Sequence, residues 1–131
     1  MAGRSRCAKA RDKLTLAALV FRTAHAAIAA SFLLAIAYVW WCALTGRRGR
    51  LLRVALTALA GEGALVIANG GDCPLGGLQE RVGDPVPLFE LVLSPSAARR
   101  AVPVSGAVSE AGVFLLARDD ARRSTRQART M

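Results

Sequence analysis

AAIAASFLLAIAYVWWCAL, residues 26–44, runs for 19 residues without a charged side chain. A helix rises about 1.5 Å per residue, so this stretch matches the roughly 20 apolar residues that cross the hydrocarbon core of a bilayer. Tyr38, Trp40 and Trp41 gather near its end, where amphipathic rings settle at a membrane interface, and Arg47, Arg48 and Arg50 follow at once. The pattern predicts a first span over about 24–45 that ends near Gly46. Residues 14–21 are apolar too, and only Arg22 and His25 interrupt the longer run. A signal peptide is the rival reading. The apolar stretch is long for one, and Trp40-Trp41-Cys42 lacks the small residues of a cleavage site.

Composition agrees with a membrane location. The 131 residues are 53% hydrophobic and carry a net charge of +9, with a mean hydropathy of +0.36. High apolarity and high positive charge coexist because they are segregated. Basic residues cluster in 3–13, 47–53 and 118–129, with the apolar runs between them. A nucleic-acid partner is not expected, since the basic C-terminal stretch has no aromatic residue on which bases could stack. Heavy use of Ala, Arg, Gly and Val points to a G+C-rich genome and so to a bacterial inner membrane. Cys7, Cys42 and Cys73 form no Cys-x-x-Cys pair and His25 is the only histidine, so no zinc, haem or dithiol cofactor is expected. No nucleophile–base motif or Gly-rich phosphate loop stands in the sequence.

Residues 51–69 read as a second span, with Arg53 at its edge, Glu62 inside and Asn69-Gly70-Gly71 as a helix stop. A loop follows in which Pro74 holds Cys73 extended, and 78–82 reads as a short helical turn. Asp84-Pro85 is a cap and first-turn pair for a short helix over 85–93, re-entrant or interfacial because it is too short to cross. Ser94-Pro95 opens the last helix, whose membrane part lies within 100–117 and contains Pro103 and Glu110. The expected fold is all-α: a small transmembrane helical bundle of three spans plus one short helix. Residues 1–22 read as a basic N-terminal tail, 23–117 as the membrane domain and 118–131 as a basic, disordered tail. The positive-inside rule favours a cytoplasmic 47–53 loop and C-terminus, against the basic N-terminal tail.

This order of features resembles an uncharacterised family of small bacterial membrane proteins. Its members have a histidine-bearing first helix, a basic turn, a glutamate-bearing second helix, a Cys-Pro-Leu-Thr-type loop and a last span. The matching positions are His25, the 47–53 turn, Glu62 and Cys73-Pro74-Leu75, followed by Leu78-Gln79-Glu80-Arg81, and the likeness covers roughly 24–117. Gly76 departs from it, standing where the family usually has a hydroxyl residue. The resemblance implies an architecture and no activity.

Charged groups in apolar segments are the candidates for chemistry, because a carboxylate inside the bilayer needs a partner, water or a proton. Glu62 and Glu110 fall about 10 and 12 Å below the same surface, and His25 about 8 Å, at the usual helical rise. His25, Glu62 and Glu110 thus read as one intramembrane layer, either hydrogen-bonding across helices or relaying protons. Asn69, Asp72, Cys73 and Pro74 are the loop candidates, with Cys73 able to exchange disulfides or be oxidised. Small residues at Ser105, Ser109 and Gly112, and at Ala26 and Ala30, mark faces where helices can approach. The expected function is a non-enzymatic packing or assembly partner whose partners are the lipid bilayer and a homo-oligomer or larger membrane complex. The alternative is a redox or proton-handling protein using Cys73 or the His25/Glu62/Glu110 layer.

Overall fold

A computed structural model describes residues 16–84, 86 and 88–130. Its elements are α1 (Leu16–Thr45), α2 (Arg50–Ala68), α3 (Pro74–Arg81), one 3-10 turn (Leu88–Leu91) and α4 (Pro95–Arg129). The described residues contain no strand. Three helices, α1, α2 and α4, are long and apolar enough to cross a membrane. Their large apolar side chains point outward: Leu34 is 71% exposed, Ile67 80% and Phe114 66%. Such a surface suits hydrocarbon and not water.

Helix lengths locate the two ends. The 19 residues of α2 rise about 28 Å, close to the roughly 30 Å hydrocarbon core. The 30 residues of α1 rise about 45 Å, so Arg22 lies in the turns beyond the apolar run, and the 35 residues of α4 project by several turns past Arg118. Gly71 N–H donates to the Val66 carbonyl at 2.9 Å and Gly70 N–H to that of Ile67 at 3.1 Å. This is the expected glycine stop, with Gly70 in left-handed geometry at φ +74°.

Helix α1 packs against both α2 and α4, which touch each other only slightly. Val39, Cys42, Leu52, Ala55 and Leu116 form a small apolar core at the 47–53 loop end. Trp40 Nε1 donates to the Val108 carbonyl of α4 at 3.0 Å. Gly112 makes this approach feasible, because a Cβ there would lie 3.0 Å from Trp40 Nε1 and 3.3 Å from Val39 Cγ1. Of the small-residue faces, Gly112 is therefore a packing position, whereas Ser105 and Ser109 line a cavity.

Four boundaries differ from the sequence reading. Residues 16–22 belong to α1 and not to a tail, since LAALVFR holds no helix breaker and Arg22 finds a partner in the fold. Residues 1–15 lie outside the described residues. Among its described residues, the 85–93 segment forms the 3-10 turn Leu88–Leu91 and no longer helix. Pro87 disfavours helical geometry at Val86, and the Asp84 carboxylate, although it accepts a long bond from Val86 N–H at 3.4 Å, is held mainly by Arg22 and Gln79. Pro85 and Pro87 are outside the described residues. Finally, 118–129 is helical where disorder is expected. Asp119 pairs with Arg123 at 2.9 Å along the helix, while Arg48 reaches Asp119 at 3.2 Å and Asp120 at 2.8 Å. Arg126 and Arg129 in the last turn suit the negative end of the helix dipole. The short helix α3 also begins earlier than expected, with Pro74 in its first turn and Cys73 as its cap.

Replacing Gly112 by Leu should push α1 and α4 apart at a cost of about 1–3 kcal/mol. Gly61→Ala, where a Cβ meets nothing within 4 Å, should be neutral or slightly stabilising. Thermal unfolding in detergent, followed by tryptophan fluorescence, compares the two.

Candidate functional site

The end of the bundle opposite the 47–53 loop is held by polar side chains. Arg22, on α1, forks onto Asp84: Nε donates to Oδ2 at 2.7 Å and Nη2 to Oδ1. The Asp84 side chain is fully buried, and Arg22 retains 20% exposure. Gln79 of α3 donates from the same amide nitrogen to Asp84 Oδ2 at 3.0 Å and to the Val86 carbonyl at 2.6 Å. Both are acceptors, so the orientation of the Gln79 amide is determined. Its Oε1 then faces His25 Nδ1 at 3.1 Å and can only accept.

This fixes the tautomer of the neutral imidazole. Nδ1 carries the hydrogen donated to Gln79, and the Nε2 lone pair is left facing Cys73 Sγ at 3.6 Å. His25 is buried, with the Phe21 ring edge-on at 6.1 Å between centroids. An ordered chain thus runs Arg22, Asp84, Gln79, His25, Cys73, each member oriented by the one before. Nucleophile, base and orienting group stand in the relation that covalent catalysis by a thiol requires, His25 Nε2 being placed to take the thiol proton.

Local sequence explains the placement. Arg22 and His25 are three residues apart and share one face of α1. Cys73 caps α3, and Gln79 lies on the face that α3 turns toward α1. Asn69 Nδ2 donates to the Asp72 carbonyl at 3.1 Å and Gly76 N–H to that of Cys73 at 3.0 Å, closing the loop that carries the thiol. Asn69 and Pro74 therefore shape the backbone around Cys73, and the exposed Asp72 lines a small polar pocket beside it.

The His25/Glu62/Glu110 layer is only partly assembled. All three residues line one cavity of about 950 Å³ between α1, α2 and α4, together with Cys73. Glu62 and Glu110 make no hydrogen bond or ion pair among the described residues, and His25 bonds to Gln79 and Cys73 instead. No group of three or more His, Cys, Asp or Glu among the described residues is arranged to hold a metal ion. Sequence reading missed Arg22, Gln79 and Asp84. Arg22 inside an apolar helix was a signal for a partner, but partners 54 and 62 residues apart have no local spacing to reveal them.

Arg22 holds the Asp84 carboxyl below the usual carboxylate range. Burial opposes that shift, and the Gln79 amide and Val86 N–H reinforce it. A depressed folded-state value stabilises the fold above the unfolded carboxylate value and is lost as pH falls through the lower folded one. The wild-type protein should accordingly lose stability below about pH 4. Asp84→Asn should remove that acid dependence and cost about 2–4 kcal/mol at neutral pH by leaving Arg22 unpaired. Unfolding midpoints measured from pH 3 to 7 would check both.

Comparison of the chain with models of protein families, with curated proteins and with solved structures finds no match.

Proposed function

We propose that this chain is an integral membrane protein whose working group is the Cys73 thiol, with His25 as its base. Gln79 orients the imidazole, and the Arg22–Asp84 pair holds Gln79 in place. The observation that carries the reading is the bridging position of His25, 3.1 Å from Gln79 Oε1 and 3.6 Å from Cys73 Sγ. A lone packing cysteine needs no imidazole held in one tautomer by a buried amide.

The geometry favours nucleophilic over disulfide chemistry. Cys42, the other described cysteine, is buried in the core at the far end of α1. Of the two sequence-based expectations, the thiol reading has this support, whereas a packing or assembly role, in a homo-oligomer or larger membrane complex, rests on the polar and small-residue helix faces. The likeness to a family of small bacterial membrane proteins stands on its matching residues and favours a bacterial inner membrane. The cluster 47–53 and the helical 118–129 are joined by the Arg48 ion pairs and share one end of the bundle. Under the positive-inside rule that end is cytoplasmic, which makes the Cys73 end extracytoplasmic.

The test is the alkylation rate of Cys73 by a water-soluble maleimide at pH 7, with Cys42 and Cys7 replaced by Ser. His25→Ala should slow it about tenfold or more, as loss of a positioned base does. Gln79→Ala should give a smaller loss by freeing the ring. Equal rates in all three proteins would remove the base from the reading. In intact cells an impermeant maleimide should label Cys73 from outside; labelling only after the membrane is opened would reverse the orientation.

A further inference from the structure

His25 and Cys73 stand where two spaces meet, one walled almost wholly by apolar side chains and the other bordered by charged ones as well. On one side is the 950 Å³ cavity, whose back wall is the α1 face bearing Ala29, Phe32 and Ile36. On the other is a smaller pocket of about 210 Å³, whose charged border is Asp72, Glu80, Glu90, Arg99 and the Asp84 already paired with Arg22. Both spaces are also lined by Phe89 and Val102. A molecule whose reacting bond lies against Cys73 therefore has an apolar part directed along α1 and a polar part carrying charges of both signs.

Length defines the apolar part. From His25 to Ile36 is eleven residues of α1, about 16 Å of rise, close to half of the roughly 30 Å hydrocarbon core. That is the depth of one leaflet, the length of a lipid tail. The cavity opens between α2 and α4, which barely touch, so its occupant can enter sideways from the bilayer. Glu62 is half-buried and Glu110 exposed, which puts the two carboxylates at this open side and leaves the wall along α1 apolar. In the polar pocket, Arg99 makes no ion pair among the described residues and is available to a phosphate, while Asp72, Glu80 and Glu90 suit an ammonium.

Resting on the thiol reading above, we propose that Cys73 takes an acyl chain from a zwitterionic aminophospholipid, with the chain in the α1 cavity and the headgroup at Arg99. The Cys73 sulfur attacks the ester carbonyl carbon, forming a C–S bond as the C–O bond breaks. The thiol proton passes to His25 Nε2 and from there to the departing lysophospholipid oxygen. The products are S-acyl-Cys73 and a lysophospholipid, and no electrons are exchanged.

The full chain, reconstituted in diether phosphatidylcholine vesicles that have no ester to donate, is given dipalmitoyl phosphatidylethanolamine, with albumin present to remove lysolipid. Intact-mass measurement should show one palmitoyl group per chain, released by neutral hydroxylamine and matched by lysophosphatidylethanolamine, and none on Cys73→Ala. A side chain at Gly63 or Gly106 would enter the open cavity, since a Cβ at either meets nothing within 4 Å. Gly63→Phe and Gly106→Phe should slow palmitoyl transfer at least tenfold while Cys73 keeps its wild-type maleimide rate. A wild-type chain with normal maleimide reactivity and no palmitoyl adduct overturns the proposal but leaves the thiol reading standing, as does transfer indifferent to both Phe variants. Equal transfer from phosphatidylglycerol would overturn the headgroup assignment. Failure of the thiol reading itself shows separately, as a maleimide rate indifferent to His25→Ala.

Discussion

The fork of Arg22 onto Asp84 is the constraint on which the polar end of this bundle depends. It joins the start of α1 to a loop 62 residues away, and it supplies the charge that makes burying Asp84 tolerable. With the carboxylate held, the Gln79 amide has only one orientation that satisfies both of its neighbours. His25 then has one neutral tautomer, and Cys73 faces a lone pair rather than an N–H. A charge pair at one end of the chain of contacts thus decides the chemistry available at the other, although Arg22 and Cys73 do not touch.

The two ends of the molecule are held together by different means. Near the 47–53 loop, side chains such as Val39, Cys42 and Leu116 pack closely, with Trp40 drawn against Gly112. Three helices in hydrocarbon gain little from burying apolar surface against one another, because lipid is as apolar as leucine. Close packing and hydrogen bonds must supply the association. The described structure uses close packing, the Trp40–Val108 hydrogen bond and the Arg48 ion pairs at one end and a buried hydrogen-bond chain at the other, with the cavity between them.

The spans were legible because each is a property of neighbouring residues: the uncharged 26–44 run, the Asn69-Gly70-Gly71 stop and the Ser94-Pro95 start all act within a few positions. The candidate site was legible only in part. His25 and Cys73 stood out as costly or reactive residues, but the reading grouped His25 with Glu62 and Glu110 by depth and left Cys73 without a partner. Depth along a helix axis is computable from sequence, and the rotation that turned His25 toward α3 is not. Asp84 misled for a related reason: before a proline it has the form of a helix cap, and a buried carboxylate paired with a distant arginine looks identical in one dimension. The 118–129 segment read as disordered because its charge is high, whereas opposite charges at Arg48, Asp119 and Arg123 bind it into a helix.

Pro103 lies inside α4, beside the polar pocket and one turn after Arg99. Having no N–H, it leaves the Arg99 carbonyl without its usual helical donor. The first turns of α4 are therefore attached to the remainder by an incomplete ladder, at the level where the two spaces around Cys73 join. Bending costs least at that point. Rotation of the 95–102 segment about this point would change the width of the passage between the two spaces while the Trp40–Gly112 contact below holds the rest of α4 in place. The helix ladder is complete where α4 anchors and interrupted where the two spaces join.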